Sequence, residues 1–131
     1  ARWTLWAACG PRRGGRVSCL CSVLGEPGVE TTPVTAGSGI GWEDELDHPR
    51  SADELVEALD STSRLIESCL DRWTPEMLAD RIERSYDGTI QVHRRGAILQ
   101  RLFSHDAYHC GELSQTLGIH DLPQIDLCRP D

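Results

Sequence analysis

One stretch, Ala97 to Gly118 (AILQRLFSHDAYHCGELSQTLG), constrains the fold more than any other part of this chain. Its apolar residues Ile98, Leu99, Leu102, Phe103, Leu113 and Leu117 recur at spacings of three and four, which predicts one buried face of an amphipathic helix, and Gly118 supplies a stop. On a helical wheel His105 and His109 fall beside Ile98 and Leu102, so both imidazoles continue the apolar stripe. Side chains at i and i+4 stand about 6 Å apart at Cβ, close enough for two ring nitrogens to converge on one metal through bonds of about 2.1 Å. A lone buried histidine is ordinarily a core residue with both nitrogens hydrogen-bonded. Two on one apolar stripe each need a partner, and a shared metal supplies one to both at once.

Upstream, Ser51-Ala52-Asp53-Glu54 is a capping box: Ser51 can accept from the Glu54 amide while the Glu54 carboxylate reaches back to the Ser51 amide. The helix it starts runs to Trp73, with Leu55, Leu59, Thr62, Ile66, Cys69, Leu70 and Trp73 as its expected buried face. Thr74-Pro75-Glu76 predicts a second, short helix, capped by Thr74 and edged by Met77, Leu78 and Ile82, before Ser85-Tyr86-Asp87-Gly88 turns the chain. Thr89 to His93 alternates apolar and polar residues and is expected to be extended. His93, just before the histidine helix, is a candidate third metal ligand, whereas His48, between Asp47 and Pro49, reads as a solvated loop residue.

Residues 1–41 are different in kind. They hold eight of the twelve glycines and three of the six cysteines, without sustained helical or strand periodicity, and are expected to form an irregular, weakly ordered arm. This arm carries four Arg and two Glu, while nine Arg and nineteen acids follow Trp42, so the overall charge of -8 belongs to the second part. No basic stripe or arginine-aromatic platform is present, which excludes nucleic acid as a partner, and no apolar run approaches a membrane span. Every basic residue other than histidine is Arg, and the chain has no Asn; both are marks of GC-rich coding. The cysteines (Cys9, Cys19, Cys21, Cys69, Cys110, Cys128) show neither paired C-x-x-C zinc spacing nor a disulfide framework, which points to a reducing, cytoplasmic setting.

The segment His105-Asp106-Ala107-Tyr108-His109-Cys110-Gly111-Glu112-Leu113 resembles the H-x-x-x-H-x-G-[EQ]-[LI] pattern in the last helix of the DinB/YfiT-like family of metal-binding four-helix bundles. Ser51 to Trp73 is similar to that family's third helix, so the resemblance takes in residues 42–131 as the C-terminal part of a DinB-like domain. It implies an all-α fold, here a partial bundle of two long helices and one short one. It also implies a bacterial cytoplasmic protein and a divalent ion such as zinc or nickel held by three histidines. In some members there is transfer or hydrolysis involving a low-molecular-weight thiol. His105 and His109 match the family's ligand positions; the third, expected from a second helix, has no matching position in residues 1–47. The absence of an initiating Met and the composition break near Gly37 to Trp42 lead us to expect that residues 1–41 are non-native or out of frame. The remaining fragment would then retain metal weakly, be inactive alone and self-associate through uncovered faces.

If the metal site works in that manner, the ion would lower the pKa of a bound thiol or water, and Glu112 would orient an imidazole N–H or serve as a base. Gly111, costly inside a helix, predicts a close backbone approach there, and Tyr108 is expected to pack against a neighbour. Two other readings stay open. His105-Asp106-x-x-His109 differs from the H-E-x-x-H zinc-peptidase helix by Asp for Glu, one methylene too short for the usual base. Alternatively, the chain is a non-catalytic helical module whose histidines satisfy one another or bind metal structurally.

Overall fold

The computed structural model of the chain describes residues 15–33 and 49–126. Cys9, His48 and Cys128, which figure in the sequence reading, lie outside the described residues.

Helices dominate. The first long helix, Ala52–Arg72, begins as the sequence dictates: Ser51 Oγ accepts from the Glu54 amide at 3.2 Å, and Glu54 Oε2 accepts from the Ser51 amide at 2.8 Å. The histidine helix, Arg95–Ile119, starts two residues before Ala97 and ends beyond Gly118. Its stop is a Schellman motif with Asp121 in the left-handed region (φ 54°): the Leu122 amide donates to Leu117 O at 2.9 Å, and the Asp121 amide to Gly118 O at 3.2 Å.

Of the arm, residues 15–33 are described, and they are partly helical. An α-helical turn at residues 15–17 runs into a π-helical stretch, Ser18–Val23, and a 3-10 turn follows at Val29–Thr31. Val17 and Leu20 are fully buried, Leu24 nearly so, and they pack with Leu65, Cys69, Ile98 and Leu102 into the core. The polar contacts of this arm helix fix its direction. Arg16 meets Thr62 and Ser63, and Glu26 meets Arg72 and Trp73, so it runs in the same sense as the first long helix. It runs opposite to the histidine helix, because Arg16 meets Asp106 and Glu26 meets Arg95. The third apolar stripe that two long helices need is therefore supplied by the arm itself.

The fold is not purely α-helical. Arg81–Tyr86 and Thr89–Arg94 form an antiparallel hairpin, β1 and β2, in the register Tyr86↔Thr89 to Arg81↔Arg94. Asp87 and Gly88 form the two-residue turn with φ of 48° and 72°, the positive pair that a tight hairpin requires. This corrects the expected short helix: only Glu76–Ala79 coils, as a 3-10 turn without a side-chain cap, and Ile82 belongs to β1. The extended stretch ending at the Arg94-Arg95-Gly96 junction is as expected. Ile82 alone of the hairpin packs on the core, while Tyr86, Ile90 and Val92 are exposed.

The buried faces differ in detail from the expected ones. The first long helix buries Ala58, Ser61, Thr62, Leu65 and Cys69, and Leu70 is exposed. The histidine helix buries Arg95, Ile98, Leu102, His109 and Leu113, and Phe103 is 56% exposed. Close approach occurs at Gly96, not Gly111: a Cβ on Gly96 would stand 3.1 Å from Leu78 O, whereas one on Gly111 would meet nothing within 4 Å among the described residues. The described helices include none long and apolar enough to cross a membrane.

Candidate metal centre

At the middle of the histidine helix the two imidazoles face each other. Their Nε2 atoms are 3.2 Å apart and the rings meet edge to face, with centroids 4.5 Å apart. His109 is buried at 5% exposure, and His105 is half-buried. On the far side of His109, Nδ1 lies 2.6 Å from Glu112 Oε2. A carboxylate can only accept, so in the neutral ring Nδ1 carries the proton and Nε2 is left with its lone pair. That Nε2 accepts from the Nε2–H of His105 when the site holds only protein. One helical face thus carries a relay, Glu112 to His109 to His105, in which the spacings of three and four place each partner.

The same arrangement fits a divalent ion. Two bonds of about 2.1 Å to nitrogens 3.2 Å apart subtend an angle of about 100°, within reach of a tetrahedral site. The carboxylate behind His109 fixes its tautomer, as outer partners of metal-bound histidines generally do. A third protein ligand is not brought to the pair: among the described residues no three His, Cys, Asp or Glu side chains gather as a group able to hold a metal. His93 sits on β2 opposite Ile82 and does not join.

Asp106 points to the arm. Its Oδ2 accepts from Arg16 Nη2 at 2.6 Å and Nε at 3.2 Å, and Arg16 Nη1 donates to Ser63 Oγ at 2.9 Å and Thr62 Oγ1 at 3.3 Å. One guanidinium therefore ties the arm to both long helices, next to the first histidine. The sequence gives no hint that Arg16 belongs here, since its partners stand 46 to 90 residues away. Gly15 also approaches: a Cβ on it would lie 3.6 Å from Cε1 and 3.7 Å from Nδ1 of His105. Tyr108 stacks edge-on against His109, yet is 64% exposed, and its bond to Glu112 pushes the phenol pKa up.

At the opposite end of the arm, Glu26 accepts from Arg72 Nη2 at 2.9 Å, Trp73 Nε1 at 2.8 Å and Arg95 Nη1. Burial by itself would raise the Glu26 carboxyl, but these three donors outweigh it and hold the pKa below the ordinary glutamate value. Cys19, Cys21 and Cys69 are free thiols, and burial pushes all three up, which makes them poor nucleophiles at neutral pH. No family model, curated protein or solved structure matches the chain.

Proposed function

We propose that this is a DinB/YfiT-like protein of the bacterial cytoplasm, in which His105 and His109 hold a divalent ion such as zinc or nickel through their Nε2 atoms. The observation that carries the reading is the 3.2 Å separation of those two nitrogens, with Glu112 bonded to the remaining nitrogen of His109. Bound there, the ion would supply a Lewis acid that lowers the pKa of a coordinated water or low-molecular-weight thiol. His109 and His105 contribute the two lone pairs. Glu112 keeps Nδ1 of His109 protonated and thereby turns its lone pair inward. Two protein ligands leave positions for water or a thiol, as a transferase or hydrolase of small substrates requires.

The peptidase reading loses support on one contact. Asp106, which would have to serve as the base, has its Oδ2 engaged by Arg16. The non-catalytic reading keeps one observation in its favour, since 3.2 Å is also a hydrogen bond between imidazoles. Zinc titration separates these. With zinc in excess the wild-type chain should take up one ion through its two histidines, and His105→Ala and His109→Ala should each lose most of that uptake. Equal metal content in all three proteins, or none in any, would leave the hydrogen-bonded, non-catalytic module as the correct account.

A further inference from the structure

We infer that Gly15 and Arg16 of the arm are positioning residues for the histidine pair, keeping Nε2 of His105 turned to Nε2 of His109; the metal consequence rests on the function proposed above, the ring placement does not. Two consecutive arm residues meet two consecutive residues of the histidine helix. Gly15 faces the Nδ1–Cε1 edge of His105 across a space that a methyl group would fill: a Cβ built on it would stand 3.6 Å from Cε1 and 3.7 Å from Nδ1. Arg16 holds the adjacent Asp106 through two donors. The His105 ring thus lies between the arm and His109, with space for about one methyl group on the arm side.

The anchoring is strong because Arg16 is itself only 10% exposed and spends its donors on three side chains from two helices. Asp106 Oδ1 is buried and accepts no hydrogen bond among the described residues, so the compensation of this carboxylate comes from Arg16. Removing the guanidinium would leave a part-buried carboxylate one residue from His105. The helix would then relax where the pair must hold its separation. Partners hydrogen-bonded behind metal-binding histidines typically change affinity by about 10- to 100-fold when lost; Arg16 acts one residue removed, through Asp106, which sets its expected effect at the low end of that range.

The test uses the full chain and four variants, with helicity checked by circular dichroism. Long-range proton–nitrogen spectra of the metal-free protein read the histidine tautomers, and competition with a chromophoric chelator reads zinc affinity. The wild type should show His109 protonated on Nδ1 and His105 on Nε2. Arg16→Met should lose this pattern and bind zinc at least about tenfold more weakly, and Arg16→Lys should recover part of both by restoring a charge beside Asp106. Gly15→Ala should match the wild type, since its Cβ fits, whereas Gly15→Leu should displace the ring and weaken zinc to a similar degree. If Arg16→Met fails to fold, the contrast between Gly15→Ala and Gly15→Leu decides. Folded Arg16→Met and Gly15→Leu proteins with wild-type tautomers and zinc affinity would overturn the inference. If the wild type binds no zinc, the proposed function falls, and the tautomer comparison still decides the positioning role.

Discussion

In the hairpin, Tyr86, Ile90 and Val92 are 65%, 69% and 47% exposed, whereas in the arm Val17 and Leu20 are fully buried and Leu24 is 9% exposed. The two regions are held by different physics. The hairpin closes on itself through a tight turn and short-range backbone pairing. The described part of the arm pairs with no strand and has little regular length, and its place is set by apolar burial and by two ionic anchors of opposite sign. At one end a cation, Arg16, enters a group of oxygen acceptors; at the other an anion, Glu26, enters a group of donors. Local regularity and weight in the core are separate properties, and this chain assigns them to separate segments.

Substitutions can break that contrast. Glu26→Ala should have the largest effect, roughly 3 kcal/mol or more in denaturant unfolding, because it strands Arg95, only 11% exposed, with its main counter-charge gone. The same anchor gives a pH signature. Its folded pKa is lowered, so the contribution is complete above the unfolded value near 4.5 and fades as pH falls through the lower folded one. The stability advantage of the wild type over Glu26→Gln should therefore stay constant near neutrality and shrink in acid; an advantage that grows in acid would contradict the assignment. Next, Leu20→Ala should cost about 2 to 5 kcal/mol by the cavity left among Leu65, Cys69 and Ile98. A change within about 0.5 kcal/mol would instead place the arm outside the core. Ser51→Ala should cost about 1 kcal/mol through loss of the cap, read as a lower melting temperature. Smallest of all, Val92→Thr on the open hairpin should shift stability by no more than about 0.5 kcal/mol.

What the sequence announces here is what is local. The capping box, the Asp87-Gly88 turn and the i, i+4 histidines each need only a few neighbouring residues to be read, and each is found in place. Ile82 was within reach of the same logic, since an Asp-Gly turn implies a strand on both sides. The arm was harder. Val17, Leu20 and Leu24 do stand at helical spacing, but cysteines and serines fill the gaps and glycines flank the run, so the stripe is faint. Its anchors are fainter still, because Arg16 and Glu26 look like solvated charges until the partners 46 to 90 residues away are brought up. The first long helix misleads for the same reason. Leucines suggest a face that includes Leu70, yet Leu70 is exposed and Ser61, outside that face, is buried, while Thr62, within it, meets Arg16 directly.

The 90-residue separation between Arg16 and Asp106 also sets a clock. At about 5 to 20 residues per second of synthesis, the arm is polymerised roughly 5 to 20 seconds before its counter-charge. During that interval Val17, Leu20 and Leu24 have neither the histidine helix nor its carboxylate to settle against, while Ser51 can already have nucleated its own helix. The apolar residues of the arm are therefore made well before the histidine helix that covers them. A holdase that shields newly made apolar stretches would find its binding window there, and it would close when Asp106 emerges.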